Sequence, residues 1–135
     1  MSTNSTITVR TADNERKSIY CHWDGYPENN GAILLEFYND HETAKQLVEH
    51  GYLSALRPKI KPDQSKPHSF DNAQSDVCIY YGRDRGETGV ETEILKNSES
   101  PREEEFNYYF DGANWFVKPR GGRRRILSRK LCGLK

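Results

Sequence analysis

The chain has 135 residues, of which 34% are hydrophobic and 30% charged, with 20 basic and 20 acidic side chains. This length predicts one domain over residues 1–135, with residues 1–5 as a frayed tail. No apolar run approaches the roughly 20 residues of a membrane-spanning helix, and the amino terminus lacks the apolar core of a secretory signal. Three cysteines form no disulfide framework. Together these features predict a cytoplasmic protein that does not bind membranes.

The zero net charge hides an uneven distribution. Asp111 is the last acidic residue, and residues 112–135 carry eight basic side chains, which leaves twelve basic and twenty acidic ones in residues 1–111. This split indicates an anionic partner for the basic C-terminal segment, residues 121–135. The acidic part of a second copy would serve equally, so we expect a homo-oligomer. The alternative is a solvated basic tail that only aids solubility.

The first half of the chain predicts a hairpin followed by helices. Residues 6–10 alternate apolar and polar side chains and predict a strand, and residues 18–23 predict its hairpin partner. Residues 31–50 predict two short helices, because Asn39 or Asp40 provides a capping side chain ahead of an apolar stripe.

The second half predicts more strands and a long loop. Three prolines break residues 57–75, the longest irregular stretch, and such stretches are often functional. A strand is predicted at 77–81, with residues 91–96 as its partner strand. A hairpin is predicted at 106–117 and a helical stripe at 126–134. Hairpins dominate and no βαβ alternation appears. The sequence therefore predicts an α+β fold: an antiparallel β-sheet built from hairpins, with two or three short helices packed on one face.

The common catalytic and cofactor signatures are missing from the sequence. It contains no phosphate-binding loop, Rossmann fingerprint or serine-hydrolase elbow, so we expect no cofactor. Cys21 and His22 are adjacent and would face opposite sides of a strand, and Cys78 is distant, so we expect no metal site. His22 with Asp24 would make an acid–base pair of an enzyme. A hydrogen-bonded structural histidine is the simpler interpretation, and we expect no catalytic residues.

Aromatic rings and charges crowd into residues 20–27. Trp23 and Tyr26 flank a turn beside the carboxylate of Asp24. Rings of this kind stack on nucleic-acid bases and other planar groups. The alternative is that the aromatic side chains fill a small core and the aspartate only forms the turn.

Arginine-rich segments form the second candidate feature. Arg83 and Arg85 flank Asp84 in a loop bounded by glycines. Guanidinium groups bind phosphate through two parallel hydrogen bonds, so this loop predicts either a phosphate site or an internal salt-bridge cluster. A ligand site requires arginines from distant segments to meet beside aromatic rings in one cleft. The candidate ligand-binding residues are Trp23, Asp24, Tyr26, Arg57, Tyr81, Arg83, Arg85, Arg120 and Arg124.

Three motifs resemble one protein family over about residues 5–115. They are Tyr-Cys-His-Trp-Asp-Gly-Tyr-Pro at 20–27, Tyr-Gly-Arg-Asp-Arg-Gly-Glu at 81–87 and Glu-Glu-Phe-Asn-Tyr-Tyr-Phe at 104–110. The chain resembles small phage and prophage proteins, similar to the phage anti-defence proteins that counter the Thoeris system. The resemblance implies an α+β oligomer that acts in a bacterial host and sequesters a cyclic ADP-ribose-type signal without cleaving it. It also implies a pocket formed by Tyr81, Arg57, Arg120 and Arg124.

Two other functions stay open at this point. The basic C-terminal segment would suit an inhibitor that binds nucleic acid or a host nucleoprotein defence complex. An enzyme that degrades the signal would use His22 and Asp24 for proton transfer.

Overall fold

Eight strands form one sheet in the computed structural model, which describes residues 2–135. In chain order they are β1 (Ser5–Ala12), β2 (Glu15–Cys21), β3 (Leu53–Ala55), β4 (Ile79–Tyr80), β5 (Glu93–Lys96), β6 (Phe106–Phe110), β7 (Trp115–Pro119) and β8 (Arg125–Ile126). The helices are α1 (Ala32–Phe37), α2 (His41–Leu47) and α3 (Tyr81–Arg85), and a π-helical turn at Pro27–Gly31 leads into α1. The fold is therefore α+β, as predicted.

The sheet is mixed, whereas the sequence predicted antiparallel pairing. Its order is β4-β3-β2-β1-β6-β7-β8, and β5 also pairs with β2. The predicted hairpins β1/β2 and β6/β7 are confirmed. However, β1 pairs in parallel with β6, with Ser5 opposite Phe106, and β2 pairs in parallel with β3. Strand β5 pairs antiparallel with β2. The chain leaving β5 must therefore cross a face of the sheet to reach β6.

One face of the sheet carries the hydrophobic core. Alternate residues of the central strands, such as Ile7, Tyr108 and Trp115, are fully buried there against the helices. The indole N–H of Trp115 donates to the backbone oxygen of Tyr38 at the end of α1 (2.9 Å). The hydroxyl of Tyr108 donates to the carbonyl oxygen of Gly25 (2.6 Å). These bonds attach the helical layer to the sheet and satisfy buried polar groups.

The basic C-terminal segment folds back onto the core instead of forming the predicted helix. Leu127 and Cys132 are buried, and both pack beside Gly31, where an added Cβ would lie 3.2–3.3 Å from their side chains. After β8 the chain makes successive turns. Residues 123–135 carry six basic side chains and no acidic one, so a helix here would place like charges next to one another. In addition, Gly133 adopts a left-handed φ of 71°, which is typical of the end of a helix. The apolar side chains of this segment therefore reach the core from a chain that is folded into turns.

The amino terminus is also more ordered than predicted. Ser5 begins β1 and is fully buried, and the side-chain amide of Asn4 donates to the carbonyl oxygen of His22 (2.8 Å). Met1 lies outside the described residues. None of the helices in residues 2–135 has the length and apolar character needed to cross a membrane.

Candidate functional site

The second face of the sheet is polar and is crossed by the segment that joins β5 to β6, residues 97–105. The guanidinium of Arg102 lies 4.7 Å from the centre of the Tyr20 ring on this face. Thr6, Thr8 and Ser18 also face this side and are almost fully buried. Alternate residues of a strand point to opposite faces of the sheet, so this polar face is the one opposite the hydrophobic core. We call it the open face.

A groove of about 510 Å³ lies on the open face beside this segment. Its floor includes Thr6, whose hydroxyl donates to the Asn107 side chain (2.9 Å), and Thr8, whose hydroxyl shares a hydrogen bond with that of Ser18 (2.8 Å). We call it the sheet-face groove. Its other lining residues are Arg16, Ser100, Pro101, Tyr108, Tyr109, Lys118 and Arg124.

Three cations surround the sheet-face groove. Arg16 donates to the backbone oxygens of residues 97 and 99, which fixes its position without neutralising its charge. Lys118 forms an ion pair with Glu103 (2.8 Å). The guanidinium of Arg124 lies over the ring of Phe116 at 4.6 Å, and within residues 2–135 no carboxylate lies within 4 Å of it. The groove therefore keeps a net positive charge.

Arg124 also covers a second aromatic ring. Its guanidinium carbon lies 5.7 Å from the centre of the Tyr109 ring. Contacts of this kind hold the planar group against the ring face and leave its N–H groups at the edge available to an anion. In the described part of the chain, Arg124 is the one predicted site residue that lines the sheet-face groove.

The arginine loop forms an internal salt-bridge cluster at the opposite edge of the sheet. Asp84 accepts hydrogen bonds from the Arg83 side chain (2.8 Å) and the Tyr80 backbone N–H (2.8 Å), and its carboxylate lies 3.3 Å from His68. The side chains of His68 and Asp84 are both only 4% exposed. Arg83 also donates to the carbonyl oxygens of Cys78 (2.9 Å) and Ile60 (2.6 Å). This cluster ties the long loop to α3.

The pKa of the Asp84 carboxyl reflects this cluster. Burial acts to raise the pKa, but the hydrogen bonds from Arg83 and from the Tyr80 N–H outweigh it and hold the pKa below its ordinary value. The carboxylate is therefore charged at neutral pH and fully engaged by its neighbours. Of the two predictions for this loop, a phosphate site or an internal salt-bridge cluster, the geometry of Asp84 matches the salt-bridge cluster.

The remaining predicted residues of the long-loop region also have protein partners. Arg57 donates to the backbone oxygen of Gln74 (3.1 Å). Arg85 lies over the ring of Phe70 at 4.7 Å, and Tyr81 packs against the same ring with 5.6 Å between ring centres. These contacts belong to the β3–β4 edge, whereas Arg124 lies beside β8, so the structure does not bring the predicted arginines into one cleft.

The aromatic turn after β2 stands apart from both groups. Trp23 is 44% exposed and meets the His22 ring edge-on at 4.7 Å. The hydroxyl of Tyr26 donates to Asp24 (3.4 Å), and the charge of this carboxylate raises the pKa of Tyr26. Asp24 has a φ of 56°, as a turn residue does. The ring of His22 is held by the Tyr20 hydroxyl (2.8 Å).

Arg120 follows β7 and contacts the acidic part of the crossing segment. Its guanidinium lies 3.8 Å from the Glu104 carboxylate, which also pairs with Arg102 at 2.6 Å. Sequence reasoning missed Arg16, Lys118, Asn107 and Tyr109 as groove residues. The signal that would have found them is the strand alternation, which places them on the face opposite the core.

Comparison with known proteins finds no match among protein-family models, curated proteins or solved structures. The family resemblance drawn from the three motifs therefore stays a prediction.

Proposed function

We propose that the protein binds a small nucleotide-type anion in the sheet-face groove and retains it without chemical change. The observation that carries this proposal is the set of three cations, Arg16, Lys118 and Arg124, around a polar floor beside Tyr109. The ligand class is the one that the motif resemblance implies, a cyclic ADP-ribose-type signal. Of the nine residues predicted from sequence, the proposal now uses Arg124.

The chemistry of the groove suits phosphate and a planar ring. Guanidinium groups bind phosphate oxygens through charge-assisted hydrogen bonds worth about 1.5–3 kcal/mol each. Of the two rings that contact Arg124, Tyr109 is the one that lines the groove, and a base can contact it there. The groove volume of about 510 Å³ falls within the range of roughly 300–1,000 Å³ that is typical of small-molecule sites.

The lining favours binding over catalysis. In residues 2–135 no histidine, cysteine or carboxylate lines this groove, and general acid–base catalysis most often uses such groups. The Thr6 and Thr8 hydroxyls are already engaged in hydrogen bonds within the sheet. A protein that sequesters a signal needs tight binding alone, and this lining is consistent with such a role.

A second candidate function rests on the surface of the basic C-terminal segment. Arg123, Arg125, Arg129 and Lys130 are exposed, and in the described chain no carboxylate side chain lies within 4 Å of their charged groups. A surface of this kind binds nucleic-acid phosphates, and its affinity falls steeply with salt. Inhibition of a nucleoprotein complex would use this surface and leave the sheet-face groove unused.

Calorimetric titration with cyclic ADP-ribose and its isomers tests the first proposal. Arg124→Gln should weaken binding by roughly 10- to 100-fold, the equivalent of one charge-assisted hydrogen bond. Arg123→Gln removes the same charge from the neighbouring residue, which does not line the groove, and should leave binding nearly unchanged. Heating the saturated protein and analysing the supernatant should recover the intact nucleotide.

Three outcomes would contradict the proposal. One is the absence of saturable binding by any of these nucleotides. Another is recovery of a cleaved product, which would indicate an enzyme. The third is salt-sensitive binding of long nucleic acid that survives Arg124→Gln but is weakened by Arg123→Gln, which would favour the second candidate.

A further inference from the structure

A second concave site lies on the core side of the sheet, where the β6/β7 hairpin, the π-helical turn and the basic C-terminal segment meet. Its volume is about 370 Å³. Most of its wall is apolar. The apolar wall residues are Pro27, Phe106, Val117, Pro119 and Leu131. We call it the C-terminal pocket.

Two arginines stand at this apolar pocket. Arg123 and Arg125 both line it and are both exposed. Throughout residues 2–135 no carboxylate lies within 4 Å of either guanidinium, and neither side chain donates a hydrogen bond to a described group. Most other arginines of the protein bind a carboxylate, a backbone oxygen or an aromatic ring. The guanidinium groups of Arg123 and Arg125 are therefore available to an external anion.

The apolar walls of the pocket have a fixed shape because they pack on the folded core. Val117 is buried in β7, and Leu131 packs against the core cluster. The backbone of Arg125 is held by the pairing of β8 with β7, in register with Val117. A site that already exists before binding loses little conformational entropy when a ligand enters.

We propose that the C-terminal pocket binds a small amphipathic anion, with an apolar body between the proline and leucine walls and a single anionic headgroup at Arg123 and Arg125. Ligand sites are commonly apolar pockets with a few placed polar groups, and 370 Å³ lies at the small end of their range. The site is separate from the sheet-face groove, and its ligand differs because the groove has a polar floor and this pocket an apolar one.

The charge complementarity selects this occupant. A neutral apolar molecule would gain no electrostatic attraction from the two guanidinium groups, and a cation would be repelled. A carboxylate and a phosphate monoester share the required chemistry, since both accept paired hydrogen bonds from guanidinium groups. The experiment therefore uses both headgroups on the same apolar chain.

Calorimetric titration with decanoate, decyl phosphate and decanol, all below their aggregation thresholds, tests the proposal. We expect one decanoate or decyl phosphate per chain, with decanol at least about tenfold weaker because it lacks the charge. Arg125→Gln should remove part of the difference in affinity between the anion and decanol, because Arg123 remains, and Arg125→Lys should restore part of that loss. Arg129→Gln is the matched control, because Arg129 carries the same charge in the same segment outside the pocket.

A blocking variant tests the pocket itself. Gly122 lines the pocket and has no positive φ, so its backbone conformation accepts a side chain. The Cβ of Gly122→Leu would lie 3.3 Å from the Pro119 side chain, which must shift slightly to make room. Circular dichroism confirms that the variant is folded. Loss of decanoate binding in this folded variant supports the proposal.

Four results would overturn the inference. They are no binding of either anion to the unchanged protein, equal binding of decanol and decanoate, an unchanged anion affinity in Arg125→Gln, and full binding by folded Gly122→Leu. If Gly122→Leu instead converted a dimer to a monomer while the unchanged protein bound neither anion, the pocket would be a contact between copies.

Discussion

The Asp84 cluster gives the sharpest prediction about stability. Asp84→Asn keeps the shape of the side chain but removes its charge and turns one acceptor into a donor. The new amide N–H groups would face either the donors of Arg83 or the Tyr80 N–H, which lies 2.8 Å from Oδ2. Breaking a buried pair by removing one charge costs about 3–5 kcal/mol.

The surroundings of Arg83 reduce the expected loss in the free energy of unfolding. Arg83 is 24% exposed and keeps the carbonyl oxygens of Ile60 and Cys78 as acceptors, so its charge is not stranded. We therefore expect Asp84→Asn to reduce the free energy of unfolding by about 2–4 kcal/mol at pH 7. For a domain of this size, that corresponds to a melting temperature lower by about 10 °C.

The pH dependence provides an independent check with a definite sign. The folded state lowers the pKa of Asp84, so the carboxylate stabilises the protein above the unfolded pKa, about 3.9, and loses this contribution as the pH falls through the folded value. The difference in the free energy of unfolding between the unchanged protein and Asp84→Asn should therefore be largest at pH 7 and decrease below about pH 4.

Urea denaturation followed by tryptophan fluorescence measures both effects. Asp76→Asn is the matched control, because Asp76 carries the same charge shortly before β4 and pairs with Lys59 at 3.1 Å, but both side chains are at least half exposed. Exposed pairs contribute little, so this variant should stay close to the unchanged protein. Equal losses in the two variants, or a loss in Asp84→Asn that does not change with pH, would refute the reasoning.

Two further predictions concern backbone strain and the thiols. Gly51→Ala should destabilise the fold by about 2–4 kcal/mol and Gly89→Ala by only about 1 kcal/mol, because both have a positive φ but an added Cβ at Gly51 would lie 2.5 Å from a backbone oxygen; equal melting temperatures would contradict this. Burial raises the pKa of Cys21 to about 12 and of Cys132 to about 11, and also raises that of Cys78. All three should resist a thiol reagent at pH 8 until the protein unfolds, and rapid labelling of the native state would contradict it.

Local patterns in the sequence predicted the elements that depend on local chemistry. Alternation identified β1, and the Asp111-Gly112 turn between two apolar runs identified the β6/β7 hairpin. The capping pattern identified α2, where the Asp40 carboxylate accepts the Thr43 N–H at 3.0 Å. These signals lie within a few residues of the structure that they specify. They are therefore visible in a single sequence.

Long-range pairings could not be predicted in this way. β1 pairs with β6 across about 100 residues, and no local pattern encodes which distant strand provides the partner. The predicted strand at 77–81 ends early for a similar reason, because the Asp84 side chain accepts the Tyr80 N–H and α3 begins at Tyr81. The strand predicted at 91–96 exists, but its partner is β2.

The candidate site follows the same division. Arg124 was found because it belongs to a conspicuous run of basic residues, whereas Arg16 and Lys118 are single charges inside strands. Strand alternation places each of them on the open face, but the sheet order is needed to bring them together. The run Gly82–Gly86 was found for its composition, but whether Arg83 faces a ligand or Asp84 depends on side-chain geometry. Composition alone does not determine that geometry.

The position of β1 has a consequence for biosynthesis. This strand leaves the ribosome before the other strands of the sheet, yet the edge that accepts β6 stays unpaired until about 100 further residues have been made. At about 5–20 residues per second, the nascent chain exposes that edge for roughly 5–20 s. Unpaired strand edges promote aggregation, so slower elongation should lower the yield of folded protein, and a chaperone that shields the emerging strand should restore it.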